Sequence, residues 1–197
     1  MASAFITFEG IDGCGKSTQL RMLASELRLR GQEVVVTREP GGTPLGLRIR
    51  QLLLDSEEQV DPLAELLLYA ADRAQHVRTH VRPALDSGHV VLSDRYADAT
   101  VAYQGAGRGF PDELVAELVA LATGGLMPHL TLIFDLPVDE SQRRQARRRS
   151  KGEKADRLDA EDAAFHTRVR VIDASGSVQE TQGHVMRAVM PFLENRQ

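Results

Sequence analysis

Nine residues near the start of the chain constrain its fold more than any other segment. The segment reads Gly10-Ile11-Asp12-Gly13-Cys14-Gly15-Lys16-Ser17-Thr18, and its first eight residues match the pattern G-x-x-x-x-G-K-[ST] at every fixed position. A short, apolar, β-prone run at 5–8 precedes the motif, and helical periodicity follows it over 16–30. Because the motif stands between a strand and a helix, it predicts a phosphate-binding loop rather than a glycine-rich turn that binds nothing.

The residue types in this loop follow from the chemistry of binding phosphate. Glycines let the backbone wrap tightly, so that its N–H groups converge on phosphate oxygens. The start of the helix adds positive partial charge. Lys16 is expected to reach the β- and γ-phosphates of a nucleotide, and the hydroxyl of Ser17 is expected to bind Mg²⁺. Asp12 is unusual beside phosphates, and it is either a turn residue or a contact to a second substrate or a metal.

Strands and helices alternate along the whole chain. Such alternation implies crossover connections, and hence an α/β fold with a mostly parallel sheet and helices on both faces. We predict five strands, at 5–8, 33–37, 89–93, 130–136 and 171–173. We predict helices at 16–30, 45–54, 61–82, 111–124, 138–149 and 178–195, the third of them capped by Asp61-Pro62.

Composition limits the kinds of partner that the chain is expected to bind. Its 197 residues fit one domain, 1–197, and its net charge is −4 with a pI near 5.9. A mildly acidic chain has no general attraction to nucleic acid or anionic membrane, so we expect neither as a partner. The sequence has one cysteine, no apolar run near membrane-spanning length and no signal-peptide pattern. These features predict a cytoplasmic protein.

Ligands of parallel α/β sheets bind at the carboxyl ends of the strands, so the residues that follow each strand matter most. The third strand ends in Asp94-Arg95-Tyr96. Behind a phosphate loop, Asp94 is expected to serve Mg²⁺ and Arg95 to bridge phosphates, although a surface salt bridge is the alternative. The second strand ends in Arg38 and Glu39, which suggests substrate contact, although the Pro-Gly-Gly that follows is also typical of a turn.

Two further segments offer aromatic and polar groups to a base. Tyr69 and Arg73 lie four residues apart on one helix face, where a ring and a guanidinium could stack on a base and bind its edge. The pattern alone favours the alternative that Tyr69 is core and Arg73 is solvated. Tyr103 and Gln104 open a glycine-rich loop that permits close approach of a ligand.

A dense basic cluster lies at 143–149 and acidic residues follow it at 156–162. Such a charge run is often a solvated face, and pairing between the two signs is a further alternative. Granted a phosphate loop, we favour a mobile basic lid at about 143–160 that closes over the γ-phosphate and excludes water.

Taken together, these motifs resemble those of bacterial thymidylate kinases. The matching segments follow in family order and span nearly the whole chain. They are Phe8-Glu9-Gly10, Thr37-Arg38-Glu39-Pro40-Gly41-Gly42-Thr43, Ala71-Asp72-Arg73-Ala74-Gln75-His76, Asp94-Arg95-Tyr96, Ala102-Tyr103-Gln104-Gly105 and Asp156-Arg157-Leu158-Asp159. The resemblance implies the three-layer fold of P-loop nucleotide kinases, transfer of the γ-phosphoryl of ATP to dTMP with Mg²⁺ as cofactor, a role in dTTP synthesis, and a homodimer.

The resemblance also implies roles for matched positions. ATP would bind at residues 10–18, with its adenine beside the backbone at 173–175, and Lys16, Arg95 and Asp12 would be catalytic. The dTMP site would include Asp12, Arg38, Glu39, Tyr69, Arg73, Arg95, Tyr103, Gln104, Asp156 and Asp159. Tyr69 would stack on thymine, Arg73 would bind its edge, and Tyr103 would exclude a ribose 2′-hydroxyl. Asp156 and Asp159 would order the lid.

Gly13 is a position at which the family itself varies, and the chain departs from the family pattern at two further places. Gly13 stands where some thymidylate kinases have an arginine, so we expect a lid arginine to supply transition-state charge, Arg144 and Arg148 first and Arg147 or Arg149 otherwise. Ala99 cannot make the hydrogen bond that a polar residue would make there. The segment 165–170 runs directly into 171–174, where relatives usually carry more residues, which is either a true deletion or a gap in the sequence.

Two rival functions follow from the same loop. A kinase for another nucleoside monophosphate would differ in the acceptor base that it accepts. A P-loop switch or ATPase would instead hydrolyse nucleotide without a small acceptor and would respond to a macromolecular partner. The second glycine-rich segment and the Tyr69/Arg73 pair argue against the switch.

Overall fold

A computed structural model describes residues 3–54, 60–100, 108–149 and 169–196 of the chain. Strands alternate with helices as predicted. The order is β1 (Ala4–Glu9), α1 (Lys16–Leu29), β2 (Val34–Arg38), α2 (Pro44–Leu54), α3 (Pro62–His76), a π-helical turn (Val77–Val81), α4 (Arg82–Asp86), β3 (Val90–Asp94), α5 (Ala97–Thr100), α6 (Asp112–Thr123), β4 (Leu130–Asp135), α7 (Val138–Arg149), β5 (Val169–Asp173) and α8 (Val178–Glu194).

The five strands form one sheet in the order β2-β3-β1-β4-β5, and every neighbouring pair is parallel. All five carboxyl ends therefore lie at the same edge. β1 is central, and its Phe8 pairs in register with Asp94 of β3. Asp94 in turn pairs with Arg38 of β2. This register places the ends of β1, β2 and β3 side by side, and three of the predicted site segments begin there.

Side chains of β1 alternate between two cores, one on each face of the sheet. Ile6 and Phe8 lie in the first core, which α1 and α8 cover, and Phe8 stacks on Phe134 at 5.7 Å between ring centroids. Phe5 lies in the second core, beside the π-helical turn, and meets the ring of Tyr96 edge-on at 4.9 Å. Helices cover both faces, as the predicted three-layer arrangement requires.

The predicted single helix at 61–82 is interrupted in the structure. Its start is as expected, because the Asp61 carboxylate accepts hydrogen bonds from the N–H groups of Leu63 and Ala64. The α-helix ends at His76, and a π-helical turn leads into α4. Pro83 has no N–H to donate to the carbonyl four residues earlier, so regular α-helical bonding cannot continue through this point.

Two other elements differ from the expectation. The short helix α5 was not predicted, because four residues are too few for a helical period to be recognised. β5 begins at Val169, two residues before the predicted start. Within the described residues, no helix is both long and apolar enough to cross a bilayer.

Candidate active site

The phosphate-binding loop joins β1 to α1, and its shape requires glycine at Gly10. This residue has a φ of 130°, and a Cβ added there would lie 2.6 Å from the carbonyl oxygen of Phe134. The Lys16 ammonium, which is 6% exposed, donates to the carbonyl oxygens of Gly10 and Ile11 and lies 3.6 Å from the Cys14 sulfur. Cys14 is itself buried and fills space beneath the loop. The loop therefore holds a cation at the start of a helix.

Asp12 has the partner that a carboxylate in this loop needs. Its Oδ1 accepts a hydrogen bond of 2.8 Å from Nη2 of Arg95 and lies 3.8 Å from the Lys16 ammonium. The backbone carbonyl of Asp12 accepts a 2.6 Å hydrogen bond from Ser141 of α7. Two cations thus offset the charge of the carboxylate, and Asp12 links the phosphate loop to β3 and α7.

Arg95 adopts an unusual backbone conformation directly after β3. Its φ is 71°, a left-handed value that residues with a Cβ seldom take. Neighbouring strands hold it there, because its N–H donates to the Phe8 carbonyl at 3.0 Å and its carbonyl accepts from the Ser93 hydroxyl at 2.8 Å. The strained turn directs the guanidinium across the loop toward Asp12.

Ser17 and Asp94, the two predicted metal ligands, are in contact. The Ser17 hydroxyl donates to the Asp94 carboxylate at 2.6 Å. Among the described residues no group of three or more His, Cys, Asp or Glu side chains could hold a metal. Mg²⁺ usually takes only one or two protein oxygens and completes its shell with water and phosphate. The hydroxyl and carboxylate beside a phosphate loop fit that preference.

Arg73 is buried rather than solvated, so the alternative favoured by the helical pattern is wrong for Arg73, although it is correct that Tyr69 is buried. It is 2% exposed, and three of its nitrogens donate to Glu39, to the Thr100 hydroxyl and to the Tyr96 carbonyl at 2.8–2.9 Å. Its guanidinium carbon also lies 5.5 Å from the centre of the Tyr96 ring. Tyr69, one turn earlier on α3, is 9% exposed. The core thus fixes Arg73 at the carboxyl edge of the sheet.

Glu39 lies inside the protein and points at α3. It is 4% exposed, and its two oxygens are bound separately, by Arg73 at 2.8 Å and by His76 at 2.7 Å. Burial alone would raise its pKa, but the Arg73 charge and the His76 hydrogen bond outweigh burial and hold the pKa of this carboxyl below its usual range. The preceding residue, Arg38, is exposed. The end of β2 therefore carries one buried charged group, Glu39, and one exposed charged group, Arg38.

Glu9 is a charged residue to which the sequence analysis gave no role. It ends β1, is 6% exposed and accepts a 2.8 Å hydrogen bond from the N–H of Tyr96. Burial and, secondarily, the negative charge of Asp98 raise the pKa of Glu9 to about 8, while Arg95 opposes this rise. Its place at the end of the central strand, in the quoted segment before the loop, is the signal that could have identified it.

Three arginine side chains of the basic helix α7 are described, and Arg147 among them is exposed. Arg143, which is 62% exposed, pairs with Asp139 and Glu140 of the same helix. Arg144 pairs with Glu140 at 2.9 Å and donates to the Ser175 carbonyl at 3.4 Å. Arg143 and Arg144 therefore form ion pairs within α7, and Arg144 also contacts the segment after β5. The predicted site residues Tyr103, Gln104, Asp156 and Asp159, and the side chains of Arg148 and Arg149, lie outside the described residues.

Comparisons with known proteins agree with one another. A family model described as thymidylate kinase matches residues 8–190. A thymidylate kinase of Gloeobacter violaceus is 49% identical over 208 aligned positions, which cover 98% of this chain and 97% of the relative. A thymidylate kinase of Deinococcus radiodurans is 46% identical, with 94% and 95% covered. A crystal structure of thymidylate kinase from Ehrlichia chaffeensis has a TM-score of 0.75 at 33% identity and covers 96% of this chain and 99% of that one.

The first of these alignments contains more positions than the chain has residues. It runs over 208 positions, whereas the chain has 197 residues. The relative therefore contains residues without a counterpart in this chain.

The buried Glu9 carboxyl makes stability depend on pH. Because its pKa is raised from 4.5 to about 8, the folded state binds more protons than the unfolded state between these values, and stability falls as pH rises through that window. Glu9→Gln mimics the protonated form. Urea denaturation gives the free energy of unfolding of the wild type and of Glu9→Gln. The wild-type value minus the Glu9→Gln value should fall by on the order of 2 kcal/mol between pH 5 and pH 8.

The matched control is Glu113→Gln, which changes an exposed carboxylate on α6 and should leave the same difference flat. A Glu9→Gln difference that stays constant with pH would show that Glu9 does not titrate in this range.

Proposed function

The chain belongs to the thymidylate kinase family and transfers the γ-phosphoryl of ATP to dTMP to give dTDP for dTTP synthesis, and we propose that the residues at the carboxyl edge of its sheet carry out this reaction. The observation that carries the proposal is the 2.8 Å ion pair between Asp12 of the phosphate loop and Arg95 after β3. It connects the segment suited to the donor with the segment suited to the acceptor.

The donor half of the site consists of the phosphate loop and the start of α1. Backbone N–H groups of 10–18 bind the phosphates of ATP, and Lys16 moves from the loop carbonyls to the β- and γ-phosphates. Ser17 and Asp94 would hold Mg²⁺, and its charge would neutralise negative charge on the transferring group. The carbonyl contacts of Lys16 keep its charge close to the site before nucleotide arrives.

The acceptor phosphate binds at Arg95. A guanidinium matches two phosphate oxygens at once, and the left-handed turn presents it from the middle of the sheet edge. Asp12 orients Arg95 and contacts the acceptor sugar. No residue has to act as a strong base, because an oxygen of dTMP is already an anionic nucleophile. Catalysis is therefore in-line positioning together with charge neutralisation.

Recognition of thymine rests on α3 and the residues after β3. Tyr69 stacks on the base, and Arg73 uses N–H groups outside its three protein hydrogen bonds to bind the edge of the base. Glu39 acts on dTMP through Arg73, whereas exposed Arg38 is free to approach the phosphate. By the family resemblance, Gln104 and Tyr103 would contact the nucleoside, and Asp156 and Asp159 would order the lid, although all four lie outside the described residues.

The lid arginines supply transition-state charge in place of an arginine in the loop, where this chain has Gly13. Arg144 already reaches the segment beside the adenine position through the Ser175 carbonyl, and the Ser141 bond ties its helix to Asp12. Arg148 lies one further turn along α7. Closure of α7 over ATP would place such cations against the γ-phosphate and exclude water.

Arg144→Ala should therefore lower kcat far more than it weakens dTMP binding. An arginine acting on the transition state contributes about 10³–10⁵-fold in rate, so we expect a loss of at least ~10²-fold in kcat, with the Kd for dTMP little changed. Arg148→Ala, Arg147→Ala and Arg149→Ala complete the series, and Arg143→Ala is the control. An unchanged kcat in all four test variants would contradict the lid proposal.

We propose that the chain is a homodimer that packs through α2, α3 and α6. These neighbouring helices carry large exposed apolar side chains, namely Leu52 at 56%, Leu63 at 47%, Leu67 at 49%, Leu114 at 39% and Leu121 at 71%. A C₂ interface that buries this surface accounts for their exposure.

Leu67→Glu should shift the mass measured by light scattering from dimer to monomer, because it buries a charge in the proposed interface. Leu29→Glu, on α1 and away from this surface, should remain dimeric. A monomeric wild type would reject the proposal.

We further propose that the enzyme works in the cytoplasm without nucleic acid or membrane partners. Its substrates are soluble nucleotides, its net charge is −4, and it has a single buried cysteine.

The direct test of the function is ADP release with ATP and Mg²⁺ in the presence of dTMP, dUMP, dGMP, dAMP, dCMP, UMP or no acceptor. We expect strong stimulation by dTMP, with dUMP as the only weaker alternative. Lys16→Ala should abolish turnover while leaving the protein folded, because it removes the cation from the β- and γ-phosphates. Release that does not depend on an acceptor would favour an ATPase, and stimulation only by another monophosphate would change the substrate assignment.

A further inference from the structure

His76 is completely buried, at the end of α3, and lies between two segments of the site. Its Nδ1 is 2.7 Å from Oε1 of Glu39, and its Nε2 is 2.6 Å from the hydroxyl of Thr37. Both partners belong to the carboxyl end of β2 and the turn after it. None of the roles proposed above uses this histidine, yet both of its ring nitrogens are engaged.

Glu39 connects His76 to Arg73. The two carboxylate oxygens are divided, Oε1 for His76 and Oε2 for Nε of Arg73 at 2.8 Å. An arginine facing a carboxylate usually binds both oxygens with two nitrogens. Here His76 occupies the second oxygen, so the terminal nitrogens of Arg73 turn toward the Thr100 hydroxyl and the Tyr96 carbonyl instead.

We propose that His76 is a positioning residue for nucleobase recognition: it holds Glu39 so that Arg73 offers its terminal N–H groups to the edge of thymine. The inference rests on the proposed role of Arg73 in binding the base. His76 does not touch the nucleotide, and it acts only through the carboxylate that it shares with Arg73.

The protonation of this chain of groups follows from its chemistry. Glu39 is held ionised by Arg73 and His76, and an ionised carboxylate can only accept hydrogen bonds. Nδ1 of His76 must therefore carry a proton and donate it to Glu39. In the neutral ring Nε2 then accepts the hydrogen bond of the Thr37 hydroxyl, which fixes the tautomer and the ring plane.

Packing around the ring leaves little room for another arrangement. A Cβ added to Gly42 would lie 2.5 Å from two atoms of the His76 ring, so the turn after β2 lies directly against it. The ring of His80 also stacks on that of His76, with ring centroids 5.8 Å apart. A side chain held by two hydrogen bonds and close packing can transmit the position of β2 to Arg73 on α3.

The test compares substitutions that keep a hydrogen-bonding group near one or the other ring nitrogen of His76. Asparagine can place an amide N–H near the position of Nδ1, and glutamine near the position of Nε2. His76→Asn should keep the bond to Glu39 and a nearly normal KM for dTMP. His76→Gln and His76→Phe should raise the KM for dTMP about tenfold or more, while the KM for ATP stays within about twofold, because a hydrogen bond to a buried charge is lost.

Two controls separate positioning from stability. Val81→Ala opens a cavity in the second core cluster, which includes the π-helical turn after His76, and should lower Tm without changing the KM for dTMP. In an Arg73→Lys background, His76→Gln should cause no further rise in the KM for dTMP, because the fork that His76 orients is already absent.

Equal KM values for dTMP in His76→Asn, His76→Gln and wild type would overturn the inference, and so would an undiminished effect of His76→Gln in the Arg73→Lys background. Should His76→Phe fail to fold, the comparison of the KM for dTMP between His76→Asn and His76→Gln still tests the inference. A wild type that does not phosphorylate dTMP would instead reject the proposed function, so the two failures are distinguishable.

Discussion

Phe8, the last residue but one of β1, lies opposite Asp94 at the end of β3, and this parallel register decides which side chains meet. The phosphate loop leaves β1 one residue after Glu9, and the left-handed turn at Arg95 leaves β3 directly after Asp94. Because both strands end at the same level, Arg95 reaches Asp12 and Ser17 reaches Asp94 without long connections. A shift of one residue would send these side chains to opposite faces of the sheet.

Buried charge is the second constraint, and it explains why the site is precise. Burying Arg73 and Glu39 costs free energy that their attraction offsets only with good geometry and further hydrogen bonds. The structure provides these through His76, Thr100 and the Tyr96 carbonyl. Removing one member leaves its partner buried with a charge, so such a network favours one arrangement. A fixed guanidinium is what discrimination between bases requires, since a mobile one would adapt to several acceptors.

The sequence predicted the elements that local signals determine. The loop motif, the Asp61-Pro62 cap and the alternation of strands and helices are local, and each is confirmed within a few residues. The burial of Arg73 was not predictable from its helical pattern, because Glu39 is 34 residues away and only the fold brings them together. The raised pKa of Glu9 also depends on the fold, through burial and Asp98, although its place at the end of β1 was a local signal. The end of α3 depended on bonding around Pro83 that periodicity does not reveal.

A crystal structure of the enzyme with dTMP is the decisive measurement, because the proposed site places the phosphate, sugar and base of this nucleotide at three different segments, namely the turn after β3, the loop after β1, and α3. We predict the dTMP phosphate on the Arg95 guanidinium, the sugar beside Asp12, and thymine on Tyr69 with its edge within hydrogen-bonding distance of Arg73. The Arg73–Glu39–His76 contacts should be unchanged in that complex. A dTMP bound away from Arg95, or an Arg73 that leaves Glu39 to reach the base, would contradict this assignment.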